Sequence, residues 1–142
     1  MRDSIAIKTI KQEEENIIKL AHDMWECPET AYNEVNACAM TAKMLEEYDA
    51  RRKVIVKGFN DLGLECREPK GAFYAFPCIK STGLTSEEFC ERLLQEKKVA
   101  VVPGTAFGDC GEGFVRVSYA YSIENIREAL RRIRHYIENF EA

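Results

Sequence analysis

The sequence lacks a long hydrophobic run and an export signal. No apolar stretch approaches the ~18 residues of a membrane span. The first fifteen residues, MRDSIAIKTIKQEEE, are too polar for a secretory signal peptide. We therefore expect a cytoplasmic protein that has no membrane partner.

Histidine is scarce, and closely spaced cysteine pairs are missing. The histidines are His22 and His135, and the six cysteines stand at positions 27, 38, 66, 78, 90 and 110. Zinc ligands usually follow one another at short intervals, so no metal site is predicted. Reduced thiols that pack as small core residues are expected instead. Cys110 is a candidate reactive thiol, although its acidic neighbours Asp109 and Glu112 disfavour a thiolate.

A surplus of positive charge is missing as well. The chain has 20 lysines and arginines against 24 acidic residues, for a net charge of −4. This balance provides no electrostatic footprint for nucleic acid or for an anionic membrane. A local group of arginines at positions 127, 131, 132 and 134 alternates with glutamates on a predicted helix and indicates a solvated face. Nucleic acid is therefore not an expected partner.

The 142 residues, 46% of them hydrophobic, are enough to bury a core. Apolar periodicity predicts helices from residue 12, over 36–62, over 85–98 and from 122 onward, with a connection over 25–36. Residues 1–10 do not decide between strand and helix. Strands are predicted over 72–76, 99–102 and 114–119. Three or four short strands cannot bury both faces of a sheet. The expected fold class is therefore α+β, a two-layer arrangement with a small mixed, mostly antiparallel sheet covered by helices.

Two helix ends carry specific sequence signals. Gly63 fits the left-handed position after a helix end, where Leu64 can fold back on Phe59. Thr85 and Glu88 have the spacing of a capping box, in which side chain and backbone satisfy each other at a helix start.

One arginine stands in an otherwise apolar or small strand. Strand alternation places the side chains of Phe114, Arg116 and Ser118 on one face. The opposite face carries Val115, Val117 and Tyr119. A charged group is rarely buried without a partner. Arg116 therefore either forms an internal ion pair with an acidic residue or uses its planar fork to grip a carboxylate or phosphate.

The loop before this strand is rich in glycine, at positions 104, 108, 111 and 113. Phosphate-binding loops run from a strand into the N-terminus of a helix, whereas this loop runs into another strand. Ordinary loop geometry is therefore favoured. The carboxylates are spread along solvated helix faces, and no catalytic set is recognisable.

Three motifs follow one another along the chain: PKGAFYAFP at 69–77, VAVVPGTAFG at 99–108 and GEGFVRVSYA at 111–120. Together they resemble the C-terminal small domain of class I/II aminotransferases, the fold type I pyridoxal-phosphate enzymes of the aspartate aminotransferase superfamily. The likeness covers about residues 40–140. We expect residues 36–142 to form this domain, and residues 1–35 to be an N-terminal helix and connection of uncertain origin.

The resemblance implies roles for several residues. In the family, the arginine of this strand forms a bidentate salt bridge to the substrate α-carboxylate, which assigns Arg116 to substrate binding. The loop containing Pro103, Gly104 and Phe107 would border the substrate. The full-length enzyme would use pyridoxal phosphate, act on an amino acid and a 2-oxo acid, and form a homodimer.

Other parts of the family pattern are lacking. None of the lysines has the serine- and glycine-containing surroundings of the lysine that binds the cofactor, and the large domain is not recognisable. We therefore expect a fragment that is inactive alone, with no catalytic residue, no cofactor-binding residue and no bound cofactor. The alternative is a non-catalytic module that keeps the fold and binds a carboxylate ligand or a partner protein.

Overall fold

The computed structural model describes residues 2–30 and 34–139, with side chains described from residue 14 onward. The chain divides into two units, one ending at Glu47 and the other beginning at Tyr48. No helix among the described residues is both long and apolar enough to span a membrane.

The first unit begins with helix α1, Arg2–Glu26. It is longer than predicted, because residues 2–11 are helical and because Trp25 and Glu26 belong to the helix and not to the connection. No proline or glycine interrupts the chain before Pro28, which explains the extension. Ile17, Ile18 and Trp25 are exposed.

Helix α2 spans Val35–Asp61, within one residue of the prediction at each end. Its N-terminus is capped by Glu29, whose carboxylate accepts hydrogen bonds from the backbone N–H groups of Asn36 at 2.8 Å and Ala37 at 2.9 Å. These hydrogen bonds, first that from Ala37 and then that from Asn36, lower the pKa of the Glu29 carboxyl. The carboxylate satisfies amides that have no partner within the helix.

The C-terminal end of α2 confirms the predicted stop signal. Gly63 has a φ of 76°, and the Leu64 N–H donates to the Phe59 carbonyl at 3.1 Å. Leu64 and Phe59 are both buried in the hydrophobic core. The left-handed residue thus returns the chain onto the last turn of the helix, as the sequence predicted.

The second unit contains a three-stranded sheet of short strands: β1 Tyr74–Ala75, β2 Val102–Pro103 and β3 Val115–Ser118. The strand order is β1-β3-β2 and both pairings are antiparallel. In register, Tyr74 lies opposite Ser118 and Val102 lies opposite Arg116. The α+β class and the small sheet are confirmed.

The strand boundaries differ from the prediction. β1 and β3 are shorter, and β2 covers only the last predicted residue and Pro103. Val99 and Val101 pack against the core without joining the ladder. β2 ends because the chain enters a helical turn at Gly104. The apolar residues at 99–102 therefore predicted burial correctly, but they did not predict which residues pair by hydrogen bonds in the sheet.

Helices α3, Ser86–Lys97, and α4, Ile123–Glu138, complete the second unit. The predicted capping box at the start of α3 is present, with Thr85 accepting from the Glu88 N–H. Ser122 caps α4 in the same way, accepting from the Asn125 N–H. A 3₁₀ turn, Lys80–Thr82, precedes α3.

The core of the second unit gathers residues of helices, strands and turns. Its largest members are the aromatic residues Phe59, Phe89, Tyr119 and Tyr136. Tyr136 was not predicted to face inward; its ring packs edge-on against Phe89 at 5.6 Å. The helical period of the last helix also predicts an inward-facing Phe140, and this residue lies outside the described residues.

Candidate functional site

Strand β3 presents two different faces, as its sequence predicted. Val115 and Tyr119 are buried in the core, and the Tyr119 hydroxyl donates to the Ala72 carbonyl at 2.6 Å. Arg116 and Ser118 alternate with these residues and are half-buried. The core face thus fixes the strand and directs Arg116 to the other face of the sheet.

Two aromatic rings flank the Arg116 guanidinium. Its Cζ lies 4.3 Å from the centroid of the Tyr74 ring and 4.6 Å from that of Phe107. Tyr74 comes from β1, on one side of β3, and Phe107 follows β2, on the other side. Phe76 packs edge-on against Phe107 with centroids 5.7 Å apart. The cation is therefore bordered by aromatic residues from both neighbours of its strand.

An internal ion pair of Arg116 is not found. Within residues 14–30 and 34–139, whose side chains are described, no carboxylate lies within 4.0 Å of this guanidinium. Arg52 behaves differently, because it contacts the carboxylates of both Asp49 and Glu68. Arg116 thus contacts two aromatic rings, and no ion pair to a described carboxylate accompanies these contacts.

The glycine-rich loop between β2 and β3 consists largely of two 3₁₀ turns, Gly104–Phe107 and Asp109–Gly111. A Cβ at Gly104 would lie 2.1 Å from the Gly111 carbonyl oxygen, so the two glycines pack back to back. The Gly104 N–H donates to the Phe114 carbonyl at 2.9 Å. The N–H groups of Gly108 and Gly111 likewise donate to carbonyls of the loop. The N–H groups of Gly104, Gly108 and Gly111 are therefore occupied by backbone carbonyls, which favours ordinary loop geometry over a phosphate cradle.

Ser86 supports this loop, and sequence reasoning missed it. The buried Ser86 hydroxyl accepts a hydrogen bond from the Gly113 N–H at 2.9 Å. In return, the Ser86 N–H donates to the Glu112 Oε1 at 2.9 Å. The start of α3 and the end of the loop are thus joined by two hydrogen bonds across more than twenty residues. Only the capping position of Thr85 beside it hinted at the importance of this helix start.

The cysteines do not add a second centre among the described residues. Cys66 and Cys90 are buried, and burial raises the pKa of each thiol to about 11. Cys110 is exposed on the turn Asp109–Gly111. Across residues 14–30 and 34–139, no three metal-ligating side chains converge.

Comparisons with known proteins show the family of the chain. The family model described as Aminotransferase class I and II matches residues 29–133. The chain belongs to this family. An aspartate aminotransferase from Pyrococcus abyssi is 58% identical over 91 residues, covering 64% of this chain and 23% of that protein. The aromatic-amino-acid aminotransferase 2 of Thermococcus litoralis is 50% identical over 96 residues, 68% of this chain and 25% of that protein.

The fold of this chain is also similar to that of an aminotransferase of known structure. The aromatic aminotransferase from Pyrococcus horikoshii aligns with a TM-score of 0.71 and 48% identity, over 74% of this chain and 28% of that chain. The protein therefore shares both sequence and fold with this family. It spans about a quarter of the length of the relatives that it matches.

Membership of this aminotransferase family implies the cofactor pyridoxal phosphate. The residues around Arg116 do not fit this cofactor. The groups in contact with the guanidinium are the rings of Tyr74 and Phe107. Neither ring can form an imine bond to the aldehyde or pair with the pyridine nitrogen. Lys80 lies over the Phe114 ring at 5.3 Å, and Lys53 and Lys57 pair with carboxylates of their own helix. These side chains therefore provide neither an imine-forming amine beside Arg116 nor a partner for the pyridine nitrogen.

Proposed function

We propose that residues 36–142 act as the small domain of a pyridoxal-phosphate-dependent aminotransferase, in which Arg116 binds the α-carboxylate of an amino acid or 2-oxo acid. In this proposal, residues 1–35 are a separate N-terminal part of the chain. The observation that carries it is the environment of Arg116, whose guanidinium is bordered by two rings and contacts no described carboxylate. Its planar N–H donors match two carboxylate oxygens.

Binding and orientation are the contribution of this chain to the reaction. A bidentate pair with Arg116 would fix the amino acid so that its Cα–H bond is aligned for proton removal by groups outside these residues. Pro103, Gly104 and Phe107 would border the bound substrate. When bound, the cofactor would supply the electron sink, and the residues that hold it would belong to a large domain. We propose a cytoplasmic homodimer for the complete enzyme, as the resemblance implies.

The carboxylate role is tested by transplanting residues 48–139 into the aligned position of the aspartate aminotransferase from Pyrococcus abyssi. We expect an active chimera in which Arg116→Lys lowers kcat/KM by about 10- to 100-fold. Lysine can still pair with the carboxylate but loses one of the two parallel charge-assisted hydrogen bonds, which is worth about 1.5–3 kcal/mol. Steady-state kinetics with an amino acid donor and a 2-oxo acid acceptor measures this loss.

Arg67→Lys is the matched control in the same chimera. The Arg67 side chain is 93% exposed and pairs only loosely with Glu65, so this change should leave kcat/KM unaltered. Equal kinetics for Arg116→Lys and Arg67→Lys would contradict the carboxylate role of Arg116.

Calorimetry on the 142-residue chain separates the small-domain role from a free-standing carboxylate-binding module. One bidentate pair at an open surface must offset the entropy cost of association, so we expect no binding of L-aspartate or 2-oxoglutarate tighter than about 1 mM. Micromolar binding would favour the module instead.

A further inference from the structure

We propose that Phe107 is a positioning residue that orients the Arg116 guanidinium for its anion, together with the more deeply placed Tyr74. This inference rests on the proposed carboxylate role of Arg116 and deepens it. It goes beyond a loop that merely borders the substrate, because it gives Phe107 a function exerted through another side chain.

The contacts of Phe107 are those of a residue built to hold a cation. Phe107 is 50% exposed and does not belong to the hydrophobic core. Its recorded ring contacts are Arg116 at 4.6 Å and Phe76 at 5.7 Å. The Phe107 ring therefore contacts the Arg116 guanidinium and the neighbouring Phe76 ring.

The backbone around Phe107 fixes where its ring can lie. Phe107 is the last residue of the turn Gly104–Phe107, which is closed by the hydrogen bond from the Gly108 N–H to the Thr105 carbonyl at 3.1 Å. Gly108 has a φ of 124°, a conformation that other residues rarely adopt. The chain can thus leave the turn immediately after Phe107 and keep the ring over Arg116.

An aromatic partner orients a guanidinium without consuming its hydrogen-bond donors. A carboxylate in the same place would neutralise the charge and occupy the N–H fork, whereas a ring attracts the cation through its face. The N–H groups at the rim of the guanidinium then remain available to an incoming carboxylate. Tyr74 and Phe107 together restrict the plane of the guanidinium, so that less rotational freedom is lost when the carboxylate binds.

The two rings have different surroundings. Tyr74 is half-buried in β1 and is held by the pairing with Ser118, so its position is set by the sheet. Phe107 is exposed on a loop and can be changed without opening the core. Phe107 is therefore the better residue for a test. Phe73 provides a matched control, because it is also exposed, at 42%, and contacts the Tyr74 ring but not Arg116.

The test uses the 142-residue chain labelled with ¹⁵N-arginine, in which NMR measures the rotation rate about the Nε–Cζ bond of Arg116. We expect Phe107→Leu to raise this rate about two- to fivefold, the loss corresponding to one exposed cation–π contact. Phe107→Tyr, which keeps a ring, should restore the wild-type rate, and Phe73→Leu should not change it. An unchanged rate in Phe107→Leu, or an equal increase in Phe73→Leu, would overturn the positioning role.

A titration of the same samples with pyruvate distinguishes failure of this inference from failure of the proposed function. We expect the Arg116 Nε–Hε signal of the wild-type chain to shift at pyruvate concentrations up to about 100 mM, and Phe107→Leu to need a severalfold higher concentration for the same shift. Equal titrations of the two chains would overturn the positioning role while leaving the carboxylate role intact. An Arg116 signal that ignores pyruvate, in a wild-type chain whose guanidinium rotates slowly, would contradict the carboxylate role while supporting the orientation by Phe107.

Discussion

Single residues decide how firmly the loop beside Arg116 is held, and Ser86 is the clearest example. Its hydroxyl is the recorded acceptor for the buried Gly113 N–H, and its own N–H is bound by Glu112. A buried amide that loses its partner retains the full cost of having left water. Ser86 is thus a structural support of the site, although it lies on a different element from Arg116.

Ser86→Ala should therefore destabilise the chain by about 1–3 kcal/mol, because the Gly113 N–H loses its acceptor inside the protein. Urea unfolding of the 142-residue chain measures the change in the free energy of unfolding. Ser81→Ala is the control, since Ser81 is exposed and should change stability by less than about 0.5 kcal/mol. Equal effects of the two substitutions would show that the hydrogen bond from Gly113 is not important.

At the residue scale, the sequence revealed the unusual charge of Arg116 more readily than the hydrogen bonds of Ser86. Arg116 was recognisable because strand alternation is strictly periodic and an arginine interrupts it. Its neighbours in space were not recognisable, since Tyr74 and Phe107 are brought to it by strand order and by a turn. Ser86 gave no signal, because a serine in the first turn of a helix is common whether or not it is buried.

At the scale of elements, the loop between β2 and β3 is organised by the contact between Gly104 and Gly111. Their backbones approach so closely that a methyl group on either one meets the other. This contact closes the loop on itself and positions the turn that carries Phe107. The loop is thus a folded element with its own packing.

Gly104→Ala should destabilise the chain by about 1–3 kcal/mol, because the added methyl group would overlap backbone atoms that cannot move aside as a side chain would. It should also speed the rotation of the Arg116 guanidinium by displacing Phe107. Thermal unfolding and the NMR rotation rate give the two readouts.

Gly71→Ala is the control for this substitution, since no atom lies within 4 Å of the Cβ it would add. It should not destabilise the chain by more than about 0.5 kcal/mol. If Gly104→Ala were as well tolerated as Gly71→Ala, the close approach of the two glycines would not matter for the loop.

Helices were easier to predict than strands. The capping box of α3 and the glycine stop of α2 are local signals, and both are confirmed. The strands depend on partners far along the chain, so an apolar run could not reveal that β2 pairs only at Val102 and Pro103. The length of α1 was underestimated because its first residues show no clear apolar period.

At the scale of the whole molecule, the chain is a partial representative of its family. It covers about a quarter of the length of the related aminotransferases, and its unit beginning at Tyr48 contains all three strands and the residues around Arg116. Class I and II membership was predictable because three motifs occur in the same order as in the family. The surroundings of Arg116 in the proposed complete enzyme could not be predicted, because they would include residues outside this sequence.

The 142-residue chain should not take up pyridoxal phosphate at a defined lysine. No lysine has the sequence surroundings of the family's cofactor-binding lysine, and Lys53 and Lys57 are occupied by ion pairs. Borohydride reduction after incubation with the cofactor, followed by mass spectrometry, should find only scattered substoichiometric labelling. Complete labelling of one lysine would contradict the proposal that the catalytic lysine lies elsewhere.

The difference between the two rings beside Arg116 also has a consequence for time scales. Moving Tyr74 requires breaking β1 away from β3, whereas moving Phe107 requires only a rearrangement of a short exposed turn. Loop motions of this kind occur in nanoseconds to microseconds, while enzymes commonly turn over about 1–10³ times per second. In the proposed enzyme, Phe107 would therefore leave and return many times within a single turnover, and would order the arginine on average without limiting how often substrate enters or product departs.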